Sequence, residues 1–148
     1  MYLRIKQAVA PAPQQSPALS LPVTDRKNSE VIRVGKTMVT VEIANTPEAR
    51  VQGLSGRDPL PELHGMLFPM GEPLRHIFWM KDMKFALDII WIRAGKIVDI
   101  SENVPPPSGD AAPAIVSPQE PADAVLEVNA DFTEKYGVKV GDRVSSDI

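Results

Sequence analysis

The sequence predicts a mainly β domain with two short helices, its antiparallel sheet either rolled or closed into a small barrel, and three observations carry that expectation. From Val31 onward, apolar and polar residues alternate with period two in runs of strand length. Two such pairs of runs are joined by short turns, Gly35-Lys36 and Ala94-Gly95. The 15 prolines cluster in the leader and between Pro105 and Pro121, which favours irregular connections over long helices.

In chain order, Val31 to Val34 and Met38 to Ile43 read as a hairpin with Gly35 at the first central position of its turn. Thr46-Pro47-Glu48 then opens a short helix, because Thr46 can cap and Pro47 suits the first helical position. Gly53 supplies its left-handed stop. After the Asp58-Pro59 turn, Gly65 to Phe68 and Ile77 to Met80 are strand candidates. Pro69, which has no N–H, limits the first of them to a sheet edge or a strand end. Leu87 to Arg93 and Lys96 to Val104 form the clearest hairpin, for which a type I turn with Gly95 left-handed is expected, since Ala94 resists positive φ. Pro105 to Pro121 lacks apolar periodicity and reads as a long loop, a length that is uncommon within a compact domain unless the loop is functional or disordered. Ala124 to Val128 follows as a strand, Asp131 to Tyr136 as a helix stopped by Gly137, and Val138 to Val144 as a last strand around Gly141-Asp142.

Composition narrows the function classes. The formal net charge of -3 with mixed signs provides no basic stripe, so no nucleic-acid partner is expected. With no cysteine, disulfides, thiolate metal sites and thiol nucleophiles are excluded together. No run of about 18 apolar residues is present to serve as a transmembrane helix. Residues 1–27 read as a flexible leader, because Ala8 to Pro22 is nearly all Ala, Pro, Gln and Ser and buries too little apolar surface to offset chain entropy. Residues 28–148 then form a single domain. Two locations follow: cytoplasmic if the start is as written, periplasmic if a signal peptide has been truncated ahead of it.

Arg50, Gly53-Leu54, Arg57, Gly65 to Phe68, Phe78 to Lys81, Leu87 to Ile90, Asn103, Val125 to Ala130 and Gly141-Asp142, taken in order and at their spacing, resemble the DUF192 family, also called UPF0127. The resemblance covers residues 38 to 144. It implies a compact β-rich domain, often exported or membrane-tethered in bacteria, with no agreed activity. Asp82-Met83, Ala86 and Arg93 depart from the family pattern, so a ligand preference involving the turn after Lys81 can differ from that of relatives.

Five residues form the candidate ligand-binding set: Arg50, Arg57, Trp79, Lys81 and Asp88. Converging on one mouth of the sheet, the cations would hold an anionic or polyol ligand, Trp79 would offer a stacking face, and Asp88 would orient the cations or accept a hydroxyl. The competing reading is a buried ion network that fixes register, with Asp88 paired to Lys81 or Arg57. The function expected is an accessory module binding a small polar or anionic ligand or a protein partner, with no cofactor and no metal. Two alternatives stand beside it. A hydrolase acting on glycan or cell-envelope material would pair Asp88 with Asp99 or Glu127, although Glu127 in an apolar strand more naturally pairs with a cation or caps the backbone near Asn129. A cuprous-copper protein would draw on His64, Met66, Met70, His76, Met80 and Met83, although Met66 and Met80 also suit a core.

Overall fold

The computed structural model describes residues 1–3 and 28–146. The strand-forming runs become β1 (Ser29–Val34), β2 (Thr37–Ile43), β3 (His64–Leu74), β4 (Phe78–Trp79), β5 (Leu87–Arg93), β6 (Lys96–Val104), β7 (Ile115–Val116), β8 (Ala122–Asn129) and β9 (Val144–Ser146). The helices are α1 (Pro47–Gln52) and α2 (Phe132–Tyr136). Among the described residues, seven strands form one sheet in the order β6-β5-β8-β3-β2-β1-β9, and β4 pairs with β7 separately. All pairings are antiparallel except β2 with β3.

The sheet curls into a half-barrel. Val34 and Val39 at one side and Ile92 and Ile97 at the other belong to a single buried cluster with Leu126, Val128 and Phe132, which requires the sheet to bend around it. The two outermost strands are pinned together at one end. Ile97 N–H donates to the Asp142 carbonyl at 2.9 Å, Gly141 N–H to that of Ile97 at 2.8 Å, and Val144 N–H to that of Gly95 at 2.9 Å. The outer face is covered by α1, β4 and the chain around β7, over a second cluster containing Phe68, Phe78, Met80, Leu87 and Trp91. There Phe78 meets Phe68 and Trp91 edge-to-face at centroid distances of 5.2 and 5.4 Å. Each such fully buried large side chain contributes roughly 1.5–3 kcal/mol.

Local signals explain most element boundaries. Thr46 accepts the Ala49 N–H at 3.1 Å and so caps α1. Gly35, at φ 60°, makes the two-residue turn that puts Val34 opposite Thr37. Gly137, at φ 64° and ψ 30°, ends α2 in the left-handed conformation.

Several expectations need correction. Gly53 has positive φ, 49°, but a ψ of −133°, outside the left-handed helical region. Ala94 does adopt positive φ (49°), as does Gly95 (71°), so the β5–β6 turn is type I′. Its primed geometry matches strand twist, and Ala94 is held by donating its N–H to Asp123 Oδ2 at 2.9 Å. β3 is an interior strand as a whole, but at Pro69 it is paired with β8 alone, so the position is locally a sheet edge. β3 tolerates the missing N–H there because pairing with β2 has already ended at Leu67. Val138 to Asp142 are irregular with a turn at Val140-Gly141, Arg143 makes an isolated bridge to Lys96, and the last strand starts at Val144. The long loop contains β7, whose pairing with β4 ties it to the outer face. The expected flexible leader lies mostly in residues 4–27, outside the described residues, but Met1 to Leu3 are docked on the domain, with Tyr2 bridged to Phe78. Among the described residues, no helix is long and apolar enough to cross a membrane.

Candidate functional site

The turn after α1 and the turn after β4 are stitched together and leave a cleft between them. Leu54 is fully buried and anchors the first turn. From that turn, Gly56 N–H donates to the Asp82 carbonyl at 2.8 Å and the Ser55 hydroxyl to that of Lys81 at 3.0 Å. The cleft has a volume of about 260 Å³ and is lined by Met1, Gln52, Ser55, Trp79, Lys81 and Asp82, among others. At its rim the exposed Lys81 places Nζ 5.1 Å from the centroid of the half-buried Trp79 ring.

Of the first three residues, Met1 lines the cleft. Trp79 N–H donates to the Met1 carbonyl at 3.1 Å, Leu3 N–H to the Ile77 carbonyl at 2.7 Å and Tyr2 N–H to the Arg50 carbonyl at 3.3 Å. Met1 is 3% exposed, and its α-ammonium is paired with Oε1 of Glu127, a residue with no exposure at all. Glu127 Oε2 has no hydrogen-bond partner among the described residues. Burial pulls the ammonium below the ordinary α-amine range, and the Glu127 carboxylate opposes that shift.

The five residues expected to converge do not all meet. Trp79 and Lys81 share the cleft. Arg50 sits on its flank, offering its backbone carbonyl to Tyr2 and its Nε–H to the Ala44 carbonyl at 3.2 Å. Arg57 forms a bidentate pair with Glu42, at 2.8 and 2.7 Å, with both side chains partly exposed. That hydrogen bonding holds the Glu42 carboxyl below the ordinary glutamate range.

Asp88 lies on the opposite face of the sheet. Asp88 stands opposite Val128 and Ile89 opposite Glu127, so strand alternation places the two acids on different faces and they cannot share a reacting bond. Asp88 is paired with neither Lys81 nor Arg57. Instead it accepts the N–H groups of Asn103 and Thr133 and the Thr133 hydroxyl, each at 2.9 Å. Asp99 accepts the Gln119 N–H at 2.7 Å and so tethers the long loop.

The Met and His residues are also dispersed. His64 opens β3 and is exposed, while His76 lies beyond the far end of that strand, buried against Tyr2. Met66, Met80 and Met83 are packed in the apolar core. Among the described residues, no group of three or more His, Asp or Glu side chains could hold a metal ion.

A second cleft of about 260 Å³ lies between β3 and α2, where Glu62 accepts from both Lys135 and Tyr136. Sequence reasoning leaves Glu127 either a cation partner or a backbone cap near Asn129 and does not single out Met1. The available signal was a single acid within the apolar run Val125-Leu126-Glu127-Val128.

A family model described as "Uncharacterized ACR" and designated DUF192 matches residues 30–146. The chain belongs to the DUF192 family. No curated protein matches it. Two solved structures are similar to this DUF192 chain. One, from Sinorhizobium meliloti 1021 and described as a "putative transcription regulator", is 37% identical with a TM-score of 0.73, over 80% of this chain and 93% of the other. The second, a protein of unknown function from Novosphingobium aromaticivorans DSM 12444, is 28% identical with a TM-score of 0.72, over 88% of this chain and 92% of the other. The DUF192 match includes Trp79, Lys81 and Glu127 and excludes Met1 to Leu3, which join the domain through an isolated bridge from Tyr2 to Phe78.

Proposed function

We propose that this DUF192 domain is a binding module and that its ligand site is the cleft between α1 and β4, which takes a small polar molecule carrying an anionic group. One observation carries the reading: Lys81 stands over the Trp79 ring at the cleft rim and is paired with no carboxylate among the described residues. An ammonium held by an aromatic face can give a charge-assisted hydrogen bond to an incoming anion, while the ring packs against the ligand body. The hydroxyl of Ser55 and the amide of Gln52 add polar groups nearby.

The test is a thermal-shift screen of the full chain against phosphorylated sugars, dicarboxylates and neutral sugars, with Lys81→Ala alongside. A ligand at 100 times its Kd adds about 2.7 kcal/mol. Because Lys81 is exposed, the substitution itself lowers stability by no more than about 1 kcal/mol. The reading is supported by an anionic ligand that shifts the wild-type chain and not Lys81→Ala. It fails if no anion shifts the wild type, or if both proteins shift equally.

A further inference from the structure

We infer that the anion-carrying ligand of the cleft between α1 and β4 is a zwitterion, an α-amino acid with an apolar side chain; this rests on the ligand site proposed above and narrows its chemistry. The cleft is lined by charges of both signs, Lys81 and Asp82, and both residues are exposed. The two are not ion-paired with each other, nor with any other charged group among the described residues. Lys81 is held over the Trp79 ring instead. Asp82 joins the stitching of the two turns through its backbone carbonyl, which accepts the Gly56 N–H, and its carboxylate has no partner among the described residues.

The turn explains why two consecutive side chains reach one cleft. Along an extended strand, neighbouring side chains point to opposite faces. Asp82, at φ 59°, is left-handed and breaks that alternation just beyond the end of β4. A cation and an anion on consecutive residues match a ligand whose ammonium and carboxylate are attached to the same carbon. Lys81 takes the carboxylate and Asp82 the ammonium, each through charge-assisted hydrogen bonds. Gln52 adds an acceptor, because its Nε2–H donates to the Ser55 carbonyl at 3.0 Å and its Oε1 is left for a second ammonium hydrogen. The side chain of the ligand meets the Trp79 ring and Val51, which is 54% exposed on the same cleft. A ligand with negative charge alone would be repelled by Asp82. The volume of about 260 Å³ lies below the roughly 300–1,000 Å³ of pockets for drug-sized molecules, which suits a single amino acid.

The experiment titrates the isotope-labelled full chain and follows the Gly56 and Asp82 amide resonances. The probes are L-leucine and L-phenylalanine, each also as its N-acetyl acid, which keeps only the carboxylate, and as its amide, which keeps only the ammonium. At least one free amino acid is expected to bind tenfold or more tighter than both of its blocked forms. Asp82→Asn, which preserves the turn because asparagine tolerates the left-handed conformation, is expected to erase the preference over the N-acetyl acid. Lys81→Ala is expected to erase the preference over the amide. An N-acetyl acid that binds as tightly as the free amino acid, and loses binding in Lys81→Ala, overturns the zwitterion and leaves the anion site standing. A preference over the N-acetyl acid that survives Asp82→Asn also overturns it. Binding of none of these probes overturns it as well, whereas the anion site itself falls only if phosphorylated sugars and dicarboxylates fail too.

Discussion

Thr133 donates both its backbone N–H and its hydroxyl to one oxygen of Asp88, each at 2.9 Å, while the other oxygen takes the N–H of Asn103. One buried carboxylate thereby ties β5 to the irregular pairing near the end of β6 and to the first turn of α2. Asp88→Ala would leave three donors without this acceptor, at about 1–3 kcal/mol for each that stays unsatisfied. The expected outcome in urea denaturation is a loss of at least 3 kcal/mol, with Thr133→Ala costing about 1 kcal/mol. A loss below 1 kcal/mol for Asp88→Ala would show that this carboxylate does not organise the sheet.

The hairpins, helix caps and apolar faces were legible because each depends on residues close in sequence. Gly35, Thr46-Pro47 and Gly137 signal their local geometry directly. The placement of β3 inside the sheet was not legible, since Pro69 argues against it until the end of β2 at Ile43 is known. Trp79 and Lys81 line one cleft because they lie close in sequence at the end of β4, whereas the outlying position of Asp88 depends on the register of β5 with β8. Met1 gave no signal at all, because a polar and proline-rich stretch separates it from the strands it packs on.

The backbone passes closest at Gly65, where a Cβ would lie 2.8 Å from the Glu127 carbonyl oxygen and 3.0 Å from side-chain atoms of Leu126 and Val128. Gly65→Ala has no flexible neighbour to push aside on the backbone side, so β3 and β8 must separate locally. A loss of about 1–3 kcal/mol is expected. An unchanged urea midpoint would refute this close approach.

At the β5–β6 turn, Ala94 tolerates φ 49° where asparagine or glycine is at ease. Ala94→Asn is expected to raise stability by about 0.5–1 kcal/mol, visible as a higher midpoint with an unchanged m-value. A lower midpoint would mean that the alanine methyl makes a contact worth more than the strain it relieves.

The Arg57 guanidinium lowers the pKa of Glu42, so this pair contributes stability above the ordinary glutamate range and loses it as pH falls through the lowered value. Both side chains are partly exposed, and solvent screening keeps the effect under about 1 kcal/mol. Glu42→Gln should match the wild type in stability at pH 2 and fall slightly below it at pH 7. A gap of the same size at both pH values would assign the loss to packing and not to charge.

The pairing of β1 with both β2 and β9 also sets an order of assembly. On the ribosome, β1 and β2 emerge early, yet the outer edge of β1 has no partner until Val144 to Ser146 have been made, on the order of ten seconds later at typical elongation rates. Throughout that interval the nascent chain presents an open strand edge to its neighbours on the polysome, so β1 is open to strand pairing between nascent chains during synthesis.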